Sequence, residues 1–156
     1  MKIIGTTLNA KYIHTNLALR YLKAYAAPDY NVEIVEYTIK DPVMNIVTDL
    51  YKRNPDVIGF SCYIWNMEEI KKVVTILKKV LPDVHIVLGG PEVTYDPFFW
   101  LREIPGVDFI VIGEGEATFK NLLAEIDGRK DFHQVQGIAF LEGTKPIITP
   151  PAAKVD

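Results

Sequence analysis

Short apolar segments of strand type alternate five times with segments of helical periodicity. The strand-type segments fall at residues 2–8, 32–37, 56–62, 84–88 and 108–112. Between them, apolar residues recur every three or four positions, as at Ile70, Val73, Val74 and Leu77. Strands that alternate with helices in this way are typical of a parallel sheet covered by helices on both faces. The pattern therefore predicts an α/β fold.

The predicted architecture is a flavodoxin-like (Rossmann-like) three-layer sandwich. Its five parallel strands have the order 2-1-3-4-5, and a C-terminal β-hairpin follows them. Two runs at residues 136–141 and 146–149, joined by the turn Glu142-Gly143-Thr144, predict the hairpin. We expect residues 1–134 to form the α/β domain, residues 135–149 its hairpin extension, and residues 150–156 the start of a linker.

Charge and composition disfavour several classes of protein. With 17 Lys+Arg against 20 Asp+Glu, the net charge is −3, whereas nucleic-acid binding needs a basic surface. No apolar run approaches the roughly 18 residues of a membrane helix, and no signal peptide is evident. We therefore expect a cytoplasmic protein with neither nucleic acid nor membrane as a partner. The single cysteine, Cys62, and three scattered histidines predict no metal-ligating or catalytic residues within this chain.

Ligand-binding residues are expected after the carboxyl ends of the strands, where this class of sheet binds its ligands. The loops after the first, third, fourth and fifth strands are residues 9–14 (NAKYIH), 61–65 (SCYIW), 89–92 (GGPE) and 113–116 (GEGE). Glycines let the backbone approach a ligand without an intervening Cβ atom. The aromatic and apolar residues predict contact with a broad, flat and largely apolar ligand.

The residues at these strand ends disfavour three familiar classes of domain with such a sheet. A phosphorylated receiver needs an acidic pair after the first strand and an aspartate after the third, where Leu8-Asn9 and Cys62 stand. A flavin phosphate loop needs small hydroxyl residues where Lys11-Tyr12-Ile13 stands. A dinucleotide fingerprint belongs after the first strand, and two carboxylates in residues 113–116 would repel a phosphate.

Three motifs follow one another at the ends of the third, fourth and fifth strands. They are residues 56–61 (DVIGFS), 88–94 (LGGPEVT) and 111–119 (VIGEGEATF). Each is weak alone, but in this order they resemble the cobalamin-binding N-terminal domain of cobalamin-dependent radical-SAM proteins, over nearly the whole chain. In that family the corrinoid lies across the carboxyl ends of the strands, its nucleotide tail inserts beside the sheet, and a methyl group is often passed through cobalt.

The resemblance implies a set of cofactor-binding residues at the four loops. They are Asn9, Tyr12, Ile13, Ser61, Tyr63, Ile64, Trp65, Gly89, Gly90, Pro91, Glu92, Gly113, Glu114, Gly115 and Glu116. The first loop lacks the DxHxxG motif of related corrinoid domains, so cobalamin is expected base-off, without His14 on cobalt. Tyr63, Ile64 and Trp65 contact either the corrin ring or a further domain.

The resemblance also implies the partners of the chain. A corrinoid is the expected small-molecule partner, and a C-terminal radical-SAM domain of the same parent chain is the expected protein partner. S-adenosylmethionine and a four-iron four-sulfur cluster would belong to that absent domain, because its CxxxCxxC cysteines do not occur here. The parent would be an enzyme of methyltransferase type, with the chain alone inactive. The alternatives are a cofactor-free substrate- or partner-docking domain of the same fold, or a small-nucleotide-binding module.

Two local patterns give further expectations. Asn66, with Glu69 three residues later, resembles a capping box at the start of a helix. Apolar residues with helical spacing from residue 17 to residue 25 predict a helix that begins at Thr15 or Asn16.

Overall fold

The computed structural model describes residues 1–11 and 16–153. Seven strands form within these residues: β1 (Ile3–Asn9), β2 (Val32–Thr38), β3 (Val57–Ser61), β4 (His85–Gly89), β5 (Phe109–Val111), β6 (Ile138–Glu142) and β7 (Lys145–Ile148). The α-helices in the same residues are α1 (Leu17–Ala26), α2 (Val43–Arg53), α3 (Met67–Val80), α4 (Pro91–Thr94), α5 (Pro97–Glu103) and α6 (Glu116–Asp127), and one 3₁₀ helix spans Phe132–Gln134. The short helix α4 was not predicted from the sequence.

The strands form one sheet in the order β2-β1-β3-β4-β5-β6-β7. Neighbours from β2 to β5 are parallel and have the predicted order. The prediction of a five-stranded sheet is wrong, because the sheet has seven strands. The predicted hairpin, β6 and β7, pairs antiparallel with β5, with Val111 opposite Ile138. This pairing satisfies backbone groups that the edge of β5 would otherwise expose.

Two hydrophobic cores lie on opposite faces of the sheet. Alternate residues of a strand point to opposite faces, so Val57 and Val87 belong to one core while Ile58 and Ile86 belong to the other. The first core contains residues of α6, and the second contains residues of α2 and α3. Helix α1 packs beside α6, and α2 packs beside α3. The result is the predicted three-layer α/β arrangement.

Helix α1 begins where the sequence indicates but presents a different face to the protein. The Asn16 side chain accepts a hydrogen bond from the Leu19 backbone N–H, as an N-cap does. Four of the predicted apolar positions are exposed: Leu17, Ala18, Tyr21 and Tyr25. The buried side is formed by Leu19 and Ala26, with Leu22 packed against the core. Apolar residues with helical spacing therefore occur on two faces of α1, and only one of these faces is buried against the protein.

In the described part of the chain, no helix combines the length and the apolar character that a membrane crossing requires.

Candidate functional site

A cleft opens at the carboxyl edge of the sheet, between the sheet and helices α1 and α6. Its volume is about 190 Å³. Small residues create the cleft. On the face toward α1 and α6, Val57 of β3 is followed by Gly59 and Ser61, and Val87 of β4 is followed by Gly89. Ser61 pairs with Gly89, so these small residues lie side by side. Since larger side chains in this layer would fill the space, the cleft is encoded in the strands themselves.

The inner end of the cleft is apolar. A Cβ atom at Gly59 would lie 3.3 Å from the Phe119 ring, so this ring rests directly on the β3 backbone. Val87 pairs with Gly59 and is buried, as are Leu19 and Val111 on the cleft wall. The inner layer lies two residues before Ser61, roughly 6.6 Å along the strand.

The outer end of the cleft carries hydroxyl groups. The Ser61 hydroxyl donates to the Tyr63 hydroxyl oxygen at 3.2 Å, and the Asn16 side-chain amide donates to the same oxygen at 3.0 Å. The Tyr63 ring stacks on Trp65 in parallel, with ring centroids 4.5 Å apart. A tyrosine hydroxyl that accepts two hydrogen bonds still has one proton to donate. The outer end can therefore donate a hydrogen bond to a ligand.

Asn66 holds the loop after β3 in place. Its side-chain oxygen accepts from the Tyr63 backbone N–H at 2.9 Å. Its amide nitrogen donates to the Leu8 and Ser61 carbonyl oxygens at 3.2 and 3.3 Å, and lies 3.3 Å from the Thr7 hydroxyl. The predicted capping box is wrong, because the Asn66 side chain makes no cap hydrogen bond. The buried amide instead ties the end of β1 to the end of β3.

Gly90 is required by the fold itself. Its φ is +105°, and a Cβ atom there would lie only 2.6 Å from the Cys62 carbonyl oxygen. The neighbouring Cys62 backbone N–H donates to the Gly89 carbonyl oxygen at 2.8 Å. The sequence predicted that this glycine lets a ligand approach the backbone, but in the fold the close backbone of Cys62 already excludes a side chain.

The loop after β5 leads into α6. Gly113 has a φ of +76°, and a Cβ atom there would meet nothing within 4 Å. Glu116 lies in the first turn of α6, where a carboxylate interacts favourably with the helix dipole. Glu114 is exposed beside it.

The Cys62 thiol is expected to be unreactive. It is fully buried, and burial raises the pKa of its thiol. A thiol held in the protonated form is a poor nucleophile and a poor metal ligand. No group of three or more His, Cys, Asp or Glu residues suited to a metal ion occurs among residues 1–11 and 16–153.

The structure brings nine of the predicted site residues to the cleft. They are Ser61, Tyr63, Gly89, Gly90, Pro91, Gly113, Glu114, Gly115 and Glu116. Tyr12, Ile13 and His14 lie outside the described residues. Four others do not line the cleft: Asn9, Ile64, Trp65 and Glu92.

These four have other surroundings. The Asn9 amide donates to the Glu36 carboxylate at 3.2 Å. Trp65 donates to the Leu8 carbonyl oxygen at 3.3 Å, and the Ile64 side chain is 79% exposed. The Glu92 carbonyl oxygen accepts from the Trp100 indole at 3.2 Å.

Sequence reasoning missed the residues that form the walls and inner end of the cleft. They are Ala18, Leu19, Leu22, Gly59, Phe60, Val87, Val111 and Phe119. The glycine at position 59, two residues before Ser61 on the same face, was the available signal. The helix residues carried no such signal, because core and cleft residues look alike in sequence.

Comparisons with known proteins identify the family of the chain. Residues 3–123 match the B12 binding domain family. The chain is 31% identical over 160 residues to the cobalamin-dependent radical SAM methyltransferase TokK of Streptomyces tokunonensis, covering 99% of this chain and 23% of that protein. It is 29% identical over 151 residues to an uncharacterised methyltransferase of Pyrococcus horikoshii, covering 96% of this chain and 32% of that protein. The chain thus spans less than a third of the length of either relative.

Solved structures share the fold. The structure of the cobalamin-dependent S-adenosylmethionine radical enzyme OxsB, with aqua-cobalamin and S-adenosylmethionine bound, superposes with a TM-score of 0.84 at 18% identity, covering 98% of this chain and 22% of that one. The methyltransferase TsrM of Kitasatospora setae, with cobalamin and a [4Fe-4S] cluster bound, superposes with a TM-score of 0.77 at 20% identity, covering all of this chain and 30% of that one.

Proposed function

The chain belongs to the B12 binding domain family, and we propose that it binds cobalamin at the carboxyl edge of its sheet through the cleft between β3, β4, α1 and α6. The observation that carries this assignment is the layer of small residues that keeps the cleft open. The family match favours neither alternative, the cofactor-free docking domain nor the small-nucleotide-binding module.

The cleft fits part of a corrinoid. Pockets that enclose a whole small molecule have volumes of about 300–1,000 Å³, and this cleft has about 190 Å³. It therefore suits the flat heterocycle of the nucleotide tail, while the corrin ring would remain outside, across the strand ends. Ser61 and Tyr63 would offer hydrogen bonds at the outer end, and Gly89 and Gly113 would allow close backbone approach.

We propose that cobalamin binds base-off and without a protein ligand to cobalt. The support is the sequence of the first loop, which lacks the DxHxxG motif. When bound, cobalamin supplies a cobalt centre through which a methyl group can be passed. The role of the cleft residues would be to bind and orient the cofactor.

The parent protein is proposed to be a cobalamin-dependent radical-SAM methyltransferase. Residues 1–134 would form its cobalamin-binding domain, residues 135–149 the hairpin extension, and residues 150–156 the start of a linker to a radical-SAM domain. The Gly137 backbone N–H donates to the Pro150 carbonyl oxygen at 2.8 Å, which supports a hairpin continuous with the sheet. S-adenosylmethionine and the cluster would be bound by the radical-SAM domain, since Cys62 is the one cysteine of this chain.

Titration with hydroxocobalamin tests the cofactor assignment. The 156-residue chain is mixed with a micromolar excess of hydroxocobalamin and passed through a gel-filtration column. We expect corrinoid absorbance to co-elute with the protein at about one equivalent, with a spectrum typical of the base-off form. A folded protein that elutes colourless after incubation at high micromolar cobalamin would refute the proposal.

A further inference from the structure

We infer that the cleft selects corrinoids whose nucleotide tail ends in an alkylated benzimidazole over corrinoids whose tail ends in a purine. The inference rests on the proposed cobalamin binding, and it adds a preference for one chemical class of the cofactor. It follows from how polar and apolar groups are distributed along the depth of the cleft.

The polar side chains of the cleft are confined to its outer end. Among the described residues that line it, those with polar side chains are Ser61, Tyr63, Glu114 and Glu116. All four lie at or after the carboxyl ends of β3 and β5. None of the described lining residues brings a polar side chain to the inner layer, where the side chains of Val87 and Phe119 lie.

The backbone does not supply polar partners at the inner end either. Gly59 and Val87 are paired neighbours in the parallel ladder between β3 and β4, and β1 pairs with β3 on its other side. Strand N–H and C=O groups in such a ladder are engaged with one another in the plane of the sheet. A ligand that reaches the inner layer therefore meets carbon atoms.

This distribution treats the two kinds of tail differently. The outer ring of a purine carries nitrogen acceptors and, in adenine, an exocyclic amine. Buried against Phe119 and Val87, these groups would lose their hydrogen bonds to water without replacement. An alkylated benzimidazole presents only carbon atoms at that end, and its free ring nitrogen would stay near the hydroxyl groups of Ser61 and Tyr63.

Three corrinoids with different tails test the preference. Dissociation constants of the 156-residue chain are measured for cobalamin, for the cobamide with an adenine tail, and for cobinamide, which has no nucleotide tail. We expect cobalamin to bind at least tenfold more tightly than the adenine cobamide, which corresponds to about 1.4 kcal/mol. The adenine cobamide should bind within about threefold of cobinamide, because its tail gains little from the cleft.

Paired variants locate the selectivity at the inner layer. Val87→Thr adds a hydroxyl of nearly the same shape to the cleft wall, and we expect it to reduce the cobalamin preference at least threefold. Val57→Thr makes the same change at a buried position of the same face that does not line the cleft. It should leave the ratio of the two affinities unchanged, and thermal melting confirms that each variant is folded.

The outcomes separate this inference from the proposed function. Equal affinities for cobalamin and the adenine cobamide overturn the selectivity while corrinoid binding stands. Cobinamide that binds as tightly as cobalamin also overturns it, because the tail would then gain nothing from the cleft. Failure of all three corrinoids to bind a folded chain overturns the proposed function and the selectivity with it.

Discussion

Replacing the buried Asn66 by aspartate should destabilise the protein in a pH-dependent way. The amide nitrogen of Asn66 lies 3.2 Å from the Leu8 carbonyl oxygen and 3.3 Å from the Ser61 carbonyl oxygen. Asn66→Asp would place a carboxylate oxygen against both acceptors, in a site with no solvent exposure. The other carboxylate oxygen would keep the hydrogen bond from the Tyr63 backbone N–H, but a buried charge without an oppositely charged partner costs about 3–5 kcal/mol. Asn66→Ala avoids this repulsion and should cost about 2–3 kcal/mol, from lost hydrogen bonds and a small void.

Urea unfolding measures this difference. At an m value of roughly 2 kcal/mol/M, Asn66→Asp should lower the unfolding midpoint by about 1.5–2.5 M at pH 7. Burial beside acceptors raises the pKa of the introduced carboxyl above its unfolded value. The folded state then binds the extra proton, so the penalty relative to the parent chain should shrink as the pH falls from 7 to 5.

A matched exposed site provides the control. Asn121→Asp, on the exposed side of α6, makes the same chemical change and should move the midpoint little at either pH. The assignment of the Asn66 amide nitrogen to the two carbonyl groups is refuted by a specific result. That result is an Asn66→Asp protein as stable as Asn66→Ala at pH 7, with a penalty that does not depend on pH.

Three further predictions concern positive-φ glycines and one partly buried hydrogen bond. Gly113→Ala and Gly143→Ala should each cost about 1 kcal/mol in thermal melts, because both residues have positive φ and open space around the Cβ position; only Gly113→Ala should also weaken cobalamin in the titration. Gly90→Ala should lower the melting temperature more than Gly113→Ala does, since its Cβ would collide with backbone. The pKa of Asp49 is lowered, mainly by the Tyr37 hydroxyl, so this pair stabilises the fold above the unfolded pKa of about 3.9. The contribution of this hydrogen bond to stability should disappear as the pH falls through the lower folded pKa of Asp49. In urea titrations, the difference in the free energy of unfolding between the parent chain and Tyr37→Phe should therefore become smaller from pH 6 to pH 3.

The edge of the sheet at which the cleft lies was predictable from the sequence. Ser61, Gly89 and Gly115 follow or end strands, and parallel strands bring such ends to one edge. The structural role of each residue was harder to predict from the sequence. Gly90 looked like a position for ligand approach, whereas the Cys62 backbone occupies the place of its side chain. Asn66 looked like a helix cap because local spacing was the available information.

The sequence by itself determined the type and succession of the elements, because strand and helix periodicity are local properties with different repeat lengths. It also determined the small residues of β3 and β4, without which no cleft could exist. Only the tertiary structure decided which side chains close that cleft. Leu19 and Phe119 come from helices about 100 residues apart, and they meet only when both helices pack on the same face of the sheet. Pairing of the hairpin with β5 was decided in the same way, since an open strand edge becomes a binding partner only after the sheet has formed.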